Sequence, residues 1–153
     1  MMRLLLLICS LLVISSNRTD DHRLEKDFFF KHPRETRLQR LKQYSLEDQY
    51  KIYRYGHDKI EPPVLELADP IAQKGKAAVP FLKHKLESEQ EDLAVRDILY
   101  LLEQMLWMNT FDARQDEALM QALKARVAQI KNENVKFSSR DMLEFIEHAQ
   151  RAH

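Results

Sequence analysis

Glycine is the residue that most narrows what this chain can fold into. Only Gly56 and Gly75 occur among 153 residues, where average usage would supply about eleven. Tight turns with positive φ consume glycine, so a strand-and-hairpin architecture lacks its turn material. Gly-rich loops that cradle phosphates are excluded for the same reason. No segment shows period-2 alternation, whereas apolar residues recur at helical spacing throughout. The expected fold is all-α, a single domain of about six to seven helices.

The first residues read as an address. Met1-Met2-Arg3 precedes Leu4–Ile14, an apolar run broken only by Cys9 and Ser10. A basic start, a short apolar run and small residues before a polar stretch form a signal peptide over 1–16, cleaved near Ser16. As a helix the run would span about 16 Å, short of the roughly 20 residues needed to cross a membrane; the alternative is a retained anchor. The expected location is extracytoplasmic, periplasmic or secreted. Cys9 is the only cysteine, so the mature chain would have no disulfide, thiol nucleophile or thiolate ligand. Its stability must come from its core.

Charge is balanced overall, 24 basic against 24 acidic side chains. That argues against a nucleic-acid partner, whose phosphates must be neutralised. The balance conceals an asymmetry. Residues 17–60 hold 11 basic and 8 acidic side chains, and residues 61–153 hold 12 and 16. Residues 17–44 are expected as a basic helical segment and 45–153 as the main helical domain.

Phe28-Phe29-Phe30 cannot all face one side of a helix, so at least one ring must meet another element or a partner. Ser45 with Asp48 three residues on reads as an N-cap, and Gly56 as the C′ residue closing that helix. Pro62-Pro63 is expected to open the next helix, Pro70 to break it and Gly75 to end it. Ala77–Ser88 forms a short helix. Glu91–Met108, apolar nearly all round, is the central one, with Trp107 expected in the core. A helix capped near Asp112 runs to about Ile130. Residues 131–137 read as a loop, and Ser138 with Asp141 as the cap of a last helix.

Within 62–106, Ile71, Gly75, Ala78-Val79-Pro80, Leu82, Leu86, Asp92, Val95-Arg96, Leu99 and Leu102 fall at spacings that resemble a HEAT-type helical hairpin. The resemblance implies a stacked hairpin presenting a surface to another protein. It implies an Arg96 that reaches acidic groups or helix-end carbonyls on a neighbour. Helices near 114–130 and 139–151 would form a degenerate second hairpin. The exported layout as a whole also resembles small uncharacterised bacterial exported proteins, which brings no activity with it.

No catalytic, cofactor or metal site is assigned. None of the six histidines lies in His-Glu-x-x-His, Glu144 and His148 read as a surface pair, and His57 as a helix-end cation. No serine lies in Gly-x-Ser-x-Gly. The carboxylates Glu87, Glu89, Glu91 and Asp92 read as a solvated loop. The best binding candidate is the basic stripe Lys31, Arg34, Arg37, Arg40 and Lys42 with Tyr44, Tyr50, Tyr53 and Tyr55 near it. Arg34, Arg37, Arg40, Tyr53 and Tyr55 are its expected partner-binding residues, since Arg and Tyr are enriched at protein interfaces. Peripheral contact with an anionic membrane is a further use of such a stripe; the plain alternative is a solvated face with Tyr50 and Tyr53 in the core. The expected function is non-enzymatic protein–protein interaction. The alternatives are a metal-dependent or other hydrolase assembled from distant residues, and a binder of a small hydrophobic ligand.

Overall fold

Residues 22–149 are described in a computed structural model, and every regular element among them is helical. The expected signal segment, Cys9 and the cleavage point near Ser16 lie outside the described residues. Helices α1 (Arg23–Lys31), α2 (Arg34–Leu41) and α3 (Leu46–Asp58) come first. A 3-10 turn, Leu65–Ala68, leads into the single-turn α4 (Asp69–Ala72), and a second 3-10 turn, Gly75–Ala78, leads into α5 (Val79–Ser88). Then follow α6 (Asp92–Trp107), α7 (Glu117–Gln129) and α8 (Glu133–His148).

Capping chemistry explains most of these boundaries. The Ser45 hydroxyl accepts the Asp48 N–H at 3.1 Å, as its spacing predicts. Asp112 caps only the short 3-10 turn Ala113–Gln115, and Asp116, four residues on, caps α7 by accepting from Leu119 at 3.0 Å. Pro80 occupies the first turn of α5, where its missing N–H costs no hydrogen bond. The break expected at Pro70 is present, with 3-10 geometry before it and α after.

Four boundary expectations are corrected. Gly56 does not close α3, which continues to Asp58; it is buried in the last turn, where a Cβ would meet Leu67 Cδ1 at 2.8 Å and Phe29 Cζ at 2.9 Å. Its role is close packing. Pro62-Pro63 does not open a helix; the Glu61–Pro62 peptide is cis and the next turn begins at Leu65. Residues 131–137 are not a loop, because Asn132 accepts the Val135 N–H at 3.1 Å and starts α8 there. Ser138 and Asp141 therefore lie inside α8, and Ser138 donates to the Val135 carbonyl instead of capping.

α6 is the central helix, and Ile98, Leu99, Leu101, Leu102 and Met105 on it are fully buried. α5 and α6 are joined by residues 89–91, and α7 and α8 by residues 130–132. α6 and α8 run side by side in one direction. At one end the Asp92 carboxylate accepts the Lys131 and Asn132 N–H groups at 3.0 and 2.8 Å; at the other Trp107 stacks on Phe145. Phe28 and Leu41 bring α1 and α2 into the same hydrophobic core.

Candidate functional site

A charged junction joins α3 to α5 and α6. Its centre is Asp97, fully buried on the central helix. One carboxylate oxygen, Oδ2, accepts from Arg54 Nε at 3.1 Å. The other, Oδ1, accepts from Arg96 Nη2 at 2.7 Å and lies 2.9 Å from His57 Nδ1. The Asp97 backbone carbonyl accepts the Tyr53 hydroxyl at 3.1 Å. Arg54 also donates to Glu89 and Glu91, each at 2.8 Å, and Arg96 donates to Asp58. Lys85 adds a further layer, donating to Glu47 at 2.9 Å above the Tyr50 and Phe81 rings.

These contacts set the titration behaviour. Burial pushes the Asp97 carboxyl up, but hydrogen bonding from His57 and the charge of Arg96 more than offset it, so it sits below the usual carboxylate range. Asp58 moves the other way, raised by burial and by the Asp97 charge despite Arg96. Burial, with Asp97 beside it, holds the Tyr53 hydroxyl well above its ordinary value. Burial and the Glu89 charge raise Tyr50.

The outer side of this junction borders a cleft of about 580 Å3 whose walls include Lys51, Lys59, Glu25, Glu91 and Tyr55. Both signs of charge line it. His57, Asp58 and Asp97 have oxygens and a ring nitrogen within 4.8 Å of one another, the spacing of a metal site. The guanidiniums decide how to read it. Both Asp97 oxygens already accept from Arg54 and Arg96, and Asp58 accepts from Arg96. A divalent ion would sit against two fixed positive charges, so the arrangement suits ion pairing.

No protein-family model, curated protein or solved structure matches the chain.

The expected partner-binding residues separate in space. Arg34 and Arg40 face solvent, with Arg34 3.4 Å from Glu66. Arg37 turns inward, donating to the His32 carbonyl at 2.9 Å and the Phe29 carbonyl at 3.2 Å, with its guanidinium over the Phe29 ring. It therefore satisfies carbonyls at the end of α1. Tyr53 is fully buried and presents nothing at the surface. Tyr55 is half-buried in the seam with α1, its ring centroid 5.3 Å from that of His22 and 5.8 Å from that of Phe29. Glu144 and His148 are exposed on α8.

Of the three adjacent phenylalanines, Phe28 is buried, Phe29 packs against α3, and Phe30 is 91% exposed. Trp107 departs from expectation. It is 66% exposed at the end of α6, not in the core. The Asp97 junction has little signature in the sequence beyond the charged pair Arg96-Asp97 in the largely apolar stretch Leu93–Leu102.

Proposed function

We propose that the mature chain acts outside the cytoplasm as a non-enzymatic helical module that docks another protein. The observation that carries this reading is Phe30, 91% exposed on the α1–α2 corner beside Lys31, with Arg34 and Arg40 solvent-facing on α2. Burying one Phe side chain is worth about 1.5–3 kcal/mol, and Arg is an enriched interface residue around such an anchor. The corner would lay Phe30 into an apolar pocket of the partner, with the arginines at its polar rim.

The HEAT-like reading belongs to the same proposal. Supporting it are Pro80 in the first turn of α5, the contact from Arg96 to Asp58 on a neighbouring helix, and the shared direction of α6 and α8. α5–α6 would be one unit and α7–α8 the degenerate second. Export rests on the Arg3–Ser16 pattern.

The test is co-purification with the tagged mature chain from its native extracytoplasmic compartment. Arg34→Glu with Arg40→Glu, and separately Phe30→Glu, should lose the captured protein while helical circular dichroism is unchanged. Arg37 is left intact because it holds α1. Capture unaffected by both variants rejects this surface. Metal analysis of the purified chain addresses the hydrolase alternative, which a stoichiometric metal would favour.

A further inference from the structure

We propose that the C-terminal turns of α6 and α8 form a second docking face, where Trp107 and Glu103 together take a lysine or arginine side chain from a basic segment of a partner protein. The inference rests on the protein-docking reading above but uses a different face.

Trp107 is the last residue of α6 and 66% exposed. Its indole nevertheless has neighbours on two sides. One face stacks on Phe145, with centroids 5.4 Å apart and planes at 17°. Glu103 lies one turn earlier on the same face of α6, near enough for the ring N–H to hold its carboxyl down. The ring is thus stacked on one face with its second face open, and binding there costs little side-chain entropy. The open face of a tryptophan is the strongest aromatic site for a cation.

Glu103 supplies the second half. It is half-buried, and burial raises its carboxyl above the usual range; the Trp107 N–H opposes this, and no described Lys, Arg or His does. Glu144, beside the stacking Phe145, is exposed. The face therefore offers an aromatic plane with a carboxylate at its edge, and the described Arg and Lys at this end of α8, Arg114 and Lys124, are already paired with Asp112 and Glu147. A purely apolar partner would bury Glu103 uncompensated, at a cost. An anionic surface would be repelled by Glu103 and Glu144. A basic segment matches both features: its cation lies over the ring and pairs with the carboxylate.

Trp107 is the only tryptophan in the chain, so its emission reports on this face directly. The full mature chain is titrated with a short N-acetylated peptide of alternating arginine and leucine, and with a matched peptide carrying glutamate for arginine. The expected result is a saturable emission change with the arginine peptide and none with the glutamate peptide. Affinity should fall about tenfold both in about 0.5 M salt and in Glu103→Gln. Glu103→Gln keeps an acceptor for the indole N–H, so its emission without peptide should match the parent. No saturable change, equal response to both peptides, or indifference to Glu103→Gln overturns the proposal. So does emission that depends on protein concentration without peptide, because a second copy would then cover the face. If the titration fails while the Arg34/Arg40 variant still loses its captured protein, only this face is rejected. If that variant also captures normally, the α1–α2 docking reading falls with it.

Discussion

Replacing Asp97 by asparagine tests whether the buried junction stabilises the fold through charge. The amide keeps the volume and an acceptor oxygen but leaves Arg54 and Arg96 facing a neutral partner. Both guanidiniums are less than one-fifth exposed, so water cannot fully replace the lost carboxylate. Removing one member of a buried pair costs about 3–5 kcal/mol. The low end applies, because Arg54 keeps Glu89 and Glu91, and Arg96 keeps Asp58. About 3 kcal/mol corresponds to roughly 6–12 °C in Tm for a chain of this size. Thermal unfolding followed by circular dichroism at neutral pH should show that loss. The pH dependence supplies a second handle. Asp97 titrates below its ordinary value in the folded chain, so its contribution is complete above about pH 4 and fades as the carboxyl is protonated below that. The amide of the Asp97→Asn variant cannot titrate, so the gap between parent and variant should narrow as pH falls through that window. Asp58 is raised by burial and by the Asp97 charge, so the variant relieves part of that rise, and the Asp58 slope, opposite in sign, offsets part of the narrowing. A variant within about 1 kcal/mol of the parent at neutral pH would refute the argument. So would a gap that stays constant on acidification.

Gly75→Ala should lower the urea midpoint by an amount equivalent to about 2 kcal/mol or more, since φ is +53° and the new Cβ would sit 2.5 Å from the Thr110 carbonyl oxygen. Gly56→Ala should cost less, about 1 kcal/mol net, because its close Cβ contacts are with side-chain ends of Leu67 and Phe29 and alanine regains about 1 kcal/mol of helix propensity. Ser139→Ala should raise the same midpoint by about 1 kcal/mol, because the buried Ser139 hydroxyl has no hydrogen-bond partner. In an alkaline absorbance titration the buried Tyr50 and Tyr53 should stay neutral well past pH 10, the ordinary phenol value, and ionise only as the chain unfolds. Stability should correspondingly decline as pH rises above about 10, and early ionisation of all described tyrosines would contradict their burial.

The features legible in the sequence are those decided within one helical turn. Ser45 and Asp48 form a cap that their own spacing specifies, and Pro80 sits where a proline can start a helix. Features decided by distant chain were read less well. Gly56 resembled a helix stop because a stop is the local use of glycine, but its missing side chain makes room for Leu67 and Phe29 from other elements. The start of α8 lacked an apolar stripe because its first turn, Glu133 and Asn134, is solvent-facing, and only Asn132 marks it. The Arg54–Asp97 contact spans 43 residues, so no spacing rule reaches it. A charge at a core position of the most apolar helix was the available sign, since an unpaired carboxylate there would be too costly to keep.

Trp107 shows the limit of composition most directly. Its neighbours Met105 and Leu106 and the helix it ends are apolar, so averaging over the segment places it inside. Burial is set one residue at a time by what lies opposite. Met105 is fully buried, whereas two positions later α8 offers only the face of Phe145. The central helix thus runs out at its covering layer and leaves its largest ring half-seated. That exposure, with the Glu103 carboxylate at the ring edge, makes the end of α6 a surface that a basic partner segment can read.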